Sequence, residues 1–440
     1  MGFSVSTIHL GHSVLAMGMN YQEALAFLYP RTTTIKFGLD TTRILLESLG
    51  HPEAVYPTIH VGGTNGKGSV STLIAAALRE AGWKVGLYTS PHLCSFRERI
   101  VVDGAPVSED AVAMWTATLE PLILAHGATF FEATTAMALA DFAARGVEIA
   151  VLEVGLGGRL DSTNVVTPLV SGVTNVALDH QKYLGDTIEA IAREKAGIAK
   201  PGVPFIIGDT DPQVTDLLAR EAHNQIRRAD SGGICEPVVV EPQVMWPGPL
   251  GLAGPHQRRN AAVARAMLGR LPERYRPSDE DVAAGFAEAR APGRFDRRGR
   301  WLFDVAHNPD GIAALVEALA ADPPPGPVHA LVSILGDKPW PEMLVALDQA
   351  IDVGILTLAP TGADRGWDTA WLSQWLARPD RPPQRAEWHL VPDFHEALHR
   401  VLQGAGTVLV TGSFHTVGDV MAELGMAPVE DRISTATNLE

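Results

Sequence analysis

The run Gly63-Thr64-Asn65-Gly66-Lys67-Gly68-Ser69 places three glycines, a lysine and a serine hydroxyl within seven positions. Glycines let a backbone fold closely around an anion, and N–H groups at a helix start point toward it. Lys67 adds a point charge for phosphate oxygens, and the Ser69 hydroxyl is a hard ligand suited to Mg²⁺. The chemistry on offer is nucleotide-phosphate binding. The run departs from the ordinary G-x-x-x-x-G-K-[ST] loop, because Gly68 follows the lysine and the serine comes one place later.

Such a loop needs a strand before it and a helix after it. Thr58–Gly62 reads as a strand and Ser69–Ala81 as a helix ending near Gly82. Lys84–Tyr88, Ile149–Val154, Leu169–Val176 and Val203–Ile207 read as further strands, and Thr187–Ala199 as a helix stopped by Pro201. Strand–helix alternation predicts an α/β fold with a parallel sheet covered on both faces. Residues 20–50 carry helical spacing, 235–260 read as loops or short β elements, and Asn260–Leu271 as a helix.

Pro292–Gly299 reads as an interdomain linker, after which Trp301–Val305 restarts the rhythm. A helix at 311–321, a strand at His329–Ile334, a helix at 341–350 and strands at 353–358 and 407–411 complete it. The expected architecture is an N-terminal P-loop ATPase-type parallel-sheet domain, 1–297, and a smaller C-terminal Rossmann-like α/β domain, 298–440. The last twenty residues read as a disordered tail.

Chemistry-bearing residues gather at the ends of these elements. Glu153 closes an apolar strand, the place where open α/β sheets bind ligands. Asp179-His180 follows another strand, and Glu194-Lys195 lies on the next helix. Arg294 stands at the domain junction, where a guanidinium can neutralise phosphate charge. Read alone, several have ordinary explanations: Ser90 as a Ser-Pro turn, His180 as a hydrogen-bonded histidine, Lys195 as a surface ion-pair lysine, Phe130 and Phe131 as core.

Together the segments are more specific. Beside GTNGKGS stand TSPHLCSFRERI (89–100), FFEAT (130–134), LEVGLGGRLDSTNVV (152–166), EKAGI (194–198), HQRRNAA (256–262), PGRFD (292–296) and DVAHNP (304–309). In this combination, from about Asn20 to Val420, the chain resembles the folylpolyglutamate synthase/dihydrofolate synthase family of the Mur ligase superfamily. Arg97 stands where that family more often has Asn, and Thr134-Thr135 where it is more varied.

The resemblance implies ATP contacts from Thr64, Asn65, Gly66, Lys67, Gly68, Ser69, Asn260, Arg294 and Asp304. It implies two Mg²⁺ ions held by Ser69, Ser90, Glu153, His180 and a carbamylated Lys195, and a pterin side formed by Thr129, Phe131, Asp161 and Ser162. Lys195, His307 and Arg294 are the implied catalytic residues. The implied reaction phosphorylates an acceptor carboxylate with ATP and then joins it to the α-amine of L-glutamate. Dihydropteroate, reduced folate or both are the implied acceptors, and a monomer the expected state. The alternatives are a Mur-type ligase acting on a UDP-linked acceptor, disfavoured because only about 60 residues precede the loop, and an ATP-hydrolysing switch.

Composition narrows the remainder. At 440 residues, two domains are expected. The formal net charge of −16 argues against a nucleic-acid partner. No apolar run reaches the roughly 18 residues of a membrane span. The first residues lack a basic signal region, and Met17 or Met19 could serve as the start. Cys94 and Cys235 are too few for a disulfide framework, so the expected location is the cytoplasm.

Overall fold

The computed structural model describes residues 18–228, 237–378 and 385–431. Met17, Cys235 and positions 432–440 of the expected tail lie outside the described residues.

Eight strands form the first sheet: β1 (Thr58–Gly62), β2 (Val85–Tyr88), β3 (Ile100–Val102), β4 (Ala105–Pro106), β5 (Ile149–Glu153), β6 (Val170–Val173), β7 (Phe205–Ile207) and β8 (Pro237–Val239). Their order is β4-β3-β2-β5-β1-β6-β7-β8, parallel from β2 to β8, with β3 and β4 antiparallel. β1 and β5 are buried along their whole length. Alternate β5 side chains leave opposite faces, so Ala150 and Leu152 join one core cluster while Ile149 and Val151 join the other. A sheet covered on both sides explains why these strands read as continuous apolar runs.

The second sheet holds β9 (Asp296–Arg298), β10 (Trp301–Phe303), β11 (Val328–Val332), β12 (Val353–Leu356), β13 (Glu387–Leu390) and β14 (Thr407–Thr411), ordered β13-β12-β11-β14-β10-β9. All neighbours are parallel except β9. The expected linker Pro292–Gly299 is therefore not free chain: residues 296–298 pair with β10 as an antiparallel edge strand.

Residues 421–431 also depart from expectation. The helix Phe414–Glu423 enters this stretch, and the chain beyond it returns to the N-terminal half. There the Asp431 carboxylate accepts from Tyr21 Oη at 3.1 Å and Ser95 Oγ at 2.5 Å, while Arg97 Nη1 donates to Glu430 O at 3.2 Å. Arg298 Nη1 secures the start of this return through Met426 O at 2.7 Å. Paired polar termini of this kind stay ordered.

Candidate functional site

The phosphate loop joins β1 to the helix Lys67–Glu80. Gly66 sits at φ +82°, a left-handed conformation that glycine adopts without a Cβ penalty and that turns the chain into the helix. The turn after β6 braces the loop: Thr64 N donates to Asn175 O at 3.0 Å and Asn65 N to Asn175 Oδ1 at 2.8 Å. Thr174 Oγ1 donates to Asn65 O at 2.6 Å. Lys67 Nζ folds back onto Thr64 O at 3.0 Å, and burial lowers its pKa against the opposing charges of Glu153 and Asp179. Ser69 Oγ is buried with no hydrogen-bond partner among the described residues.

Beside the loop, Glu153 ends β5 and accepts the Ser90 N–H at 3.1 Å. Burial raises its pKa, offset in part by Lys67 and Arg294. Arg294 arrives from the junction before β9. A Cβ on Gly68 would lie 2.6 Å from Arg294 Nη2 and 3.4 Å from Glu153 Oε2, so the missing side chain lets the guanidinium and the carboxylate share one corner. Asn260 lies equally close to Gly66, 2.5 Å from a Cβ placed there. Asp304 accepts backbone N–H groups from Phe295 at 2.8 Å and Ala306 at 2.9 Å, and burial raises its pKa to about 6. Its position fixes the segment that carries Arg294.

Residues of the C-terminal half cross to the same edge. Asn65 and Asn308 exchange hydrogen bonds at 3.2 and 3.0 Å, and Asn65 Nδ2 reaches Asp310 Oδ2 at 2.7 Å. Asp179 accepts from Asn308 Nδ2 at 2.9 Å and from Lys338 Nζ, and His307 Nε2 lies 3.6 Å away. Burial works to raise the Asp179 pKa, but contacts with His307, His180 and Lys338 outweigh it and hold it below its ordinary value. His180, at φ +52°, has its pKa lowered to about 4 by burial. Lys195 Nζ donates to Gly63 O at 2.8 Å, and burial together with Lys67 lowers its pKa to about 7.

The pterin-side candidates form a separate group next to Glu153. Phe131 covers Gly155, where a Cβ would fall 2.4 Å from the ring, and it packs against Tyr88 at 6.0 Å. Asp161 accepts from Gly155 N at 3.1 Å, Leu156 N at 2.9 Å and Thr163 N at 3.0 Å, which closes the glycine-rich turn. Ser162 is buried on the same turn. Thr129 caps the helix Phe130–Ala144, with its hydroxyl and N–H both turned to Glu132.

Sequence reasoning missed Asn175, Asp310, Lys338 and Phe414. The Phe414 ring lies 5.6 Å from His307 and 5.8 Å from the Arg294 guanidinium carbon, touching both cleft residues. Asp310, directly after DVAHNP, had a signal in its position. Lys338 had only a Gly-Asp-Lys-Pro turn to mark it. A cavity of about 390 Å³ opens from Gly68, Glu153 and Arg294, with Pro428 and Val429 on its wall.

Among the described residues, no three histidine, cysteine or carboxylate side chains converge on one point. The donors present still suit a hard cation: the unpartnered Ser69 hydroxyl and the Glu153 carboxylate are oxygen ligands of the kind magnesium takes.

Residues 61–235 match the Mur ligase middle domain and residues 293–414 the Mur ligase glutamate ligase domain. The chain is 37% identical over 370 residues to the folylpolyglutamate synthase of Lacticaseibacillus casei, covering 78% of this chain and 86% of the relative. It is 33% identical over 429 residues to the Escherichia coli dihydrofolate synthase/folylpolyglutamate synthase, covering 93% and 95%. The chain belongs to the folylpolyglutamate synthase/dihydrofolate synthase family. It is accordingly an ATP-dependent ligase of the Mur type. It spans 43% of a longer Haloferax volcanii relative named probable bifunctional folylpolyglutamate synthase/dihydropteroate synthase, 34% identical over 369 residues and covering 76% of this chain. The Yersinia pestis bifunctional synthase solved with AMPPNP and a Mn ion superimposes with a TM-score of 0.76 at 32% identity, covering 92% of this chain and 98% of that one. Among the described residues no helix is long and apolar enough to cross a membrane.

Proposed function

We propose that this chain, acting as a monomer, joins L-glutamate to dihydropteroate, to reduced folate, or to both, through an acyl phosphate. The observation that carries the reading is the corner at Gly68, where Arg294 from the junction meets Glu153 and the phosphate loop. The division into an ATP-binding part, 1–297, and a ligase part, 298–440, is proposed with it.

Lys67 and Arg294 would neutralise charge on the transferring phosphoryl group. Asn260 and Asp304 would take part in the nucleotide site, Asp304 by fixing the Arg294 segment. Ser69 and Glu153 would hold a divalent cation, with Ser90 and His180 beside them, and that cation would supply further charge neutralisation. A carbamate on Lys195 would add an anionic oxygen donor next to Gly63. Phe131 and the turn held by Asp161 would receive a flat pterin ring, with Thr129 and Ser162 flanking it. His307, against Asp179 and Phe414, would face the incoming amine. Closure of the two halves would exclude water, so that the acyl phosphate meets the amine first.

The test is phosphate release with Mg²⁺-ATP and dihydropteroate, tetrahydrofolate or a UDP-sugar acceptor, each with and without L-glutamate. Release that needs both a pterin acceptor and glutamate supports the reading. Release with no acceptor sinks it. Light scattering of the active protein tests the monomer.

A further inference from the structure

Arg99 is 8% exposed, and its side chain makes one hydrogen bond among the described residues: Nε donates to His92 Nδ1 at 2.7 Å. A histidine is no counter-ion for a guanidinium, because its ring is neutral or cationic and never anionic. An interior guanidinium without a carboxylate partner is unfavourable, so its retention asks for an anion supplied from elsewhere. Nor are its terminal nitrogens sealed in the core: neither Nη atom is among the enclosed polar atoms that lack a partner. Each Nη therefore keeps some accessible surface, with its N–H groups unspent.

The surroundings indicate which ligand. The Arg99 guanidinium carbon lies 5.1 Å from the Phe130 ring centre, and Tyr29 stacks on Phe130 at 5.9 Å. Phe131, the neighbour of Phe130, covers the Gly155 turn. On the other side, Arg99 O accepts from Thr89 N at 3.0 Å, and the next residue, Ser90, donates to Glu153. Arg99 thus stands between an aromatic shelf and the corner where Lys67 and Arg294 face Glu153. A ligand that spans this interval is aromatic at one end and anionic where it meets the corner.

We propose that Arg99 receives the carboxylate of the acceptor substrate through a two-pronged charged hydrogen bond and so selects acceptors that carry one. This rests on the pterin-acceptor reading above. His92 is the positioning residue: by accepting from Nε it turns the two Nη groups outward together. The geometry suits arginine rather than lysine, because only a planar fork can bond one group to His92 and two to a carboxylate.

The experiment is equilibrium binding of dihydropteroate and its descarboxy analogue, in which hydrogen replaces the carboxylate, to wild type, Arg99→Met and Arg99→Gln. Wild type is expected to prefer dihydropteroate by about 10- to 100-fold, the usual worth of such a pair. Both variants should lose that preference while binding the descarboxy analogue as wild type does. Arg99→Gln, which can still donate to His92, keeps the test readable should Arg99→Met fail to fold. A wild-type preference retained in a folded variant overturns the proposal, and so does equal weakening of both ligands, the mark of a merely structural role. Wild type that binds neither ligand instead removes the acceptor reading itself.

Discussion

Lys195 Nζ donates to the carbonyl oxygen of Gly63 at 2.8 Å, joining the helix Ile188–Ala196 to the first residue of the phosphate loop. A lysine buried this deeply and shifted to about 7 is substantially neutral at neutral pH. A neutral amine can add carbon dioxide and release a proton, giving the carbamate. Lys195→Ala should lower turnover on the order of 100-fold, and Lys195→Glu should restore part of it without bicarbonate. Labelled bicarbonate should give a carbamate carbon resonance in wild type that Lys195→Ala lacks. Equal turnover of Lys195→Ala and wild type would reject the role.

Gly68→Ala separates activity from stability. Its Cβ would meet the far end of Arg294, a flexible group that can swing aside, and the backbone at Gly68 is helical, without the positive φ that would strain alanine. The melting temperature should hold, and kcat should fall on the order of 100-fold because the guanidinium leaves the corner. A variant with normal kcat would show that Arg294 does not act there.

The Asp179–Lys338 pair links the halves with each side chain 7% exposed. Asp179→Ala should destabilise the protein by about 3–5 kcal/mol, because it strands a buried ammonium. Adding Lys338→Met should recover most of that loss in urea unfolding without restoring activity. Additive losses in the double variant would mean that the two residues do not act as a pair.

His60 gives a pH dependence of defined sign. It is fully buried, Nε2 pairs with Thr163 Oγ1 at 2.8 Å, and burial lowers its pKa from 6.5 to about 3. A histidine depressed in the folded state contributes stability above pH 6.5 that is lost as pH falls toward 3. Between pH 7 and 5 the loss from this residue is about 2 kcal/mol. His60→Asn should be less stable than wild type at pH 7 and show a correspondingly smaller drop at pH 5. An unchanged drop would assign the acid sensitivity to other groups.

The strand-end motifs were legible because they sit on apolar runs long enough to define a strand, as at β1 and β5. The helix Phe130–Ala144 gave no stripe to read, since twelve of its fifteen residues are buried and it is apolar on nearly every side. The helix Glu109–His126 contains Pro121, which sequence rules treat as a break. Arg97 looked like a bare departure from the family. Its partners Val107 and Glu109 are near it in sequence, but Glu430 and Asp431 lie 333 and 334 positions away, a separation no local pattern can bridge.

The C-terminal return to Tyr21, Ser95 and Arg97 has a mechanical consequence. The C-terminal sheet is joined to the N-terminal half covalently through 292–295 and non-covalently through Asp431. Asn65–Asn308 and Asp179–Lys338 tie the same two halves elsewhere. Separating the halves therefore has to break the Asp431 contacts as well as these, so the return adds to the work of opening. Asp431→Ala would remove that share and leave the other ties intact.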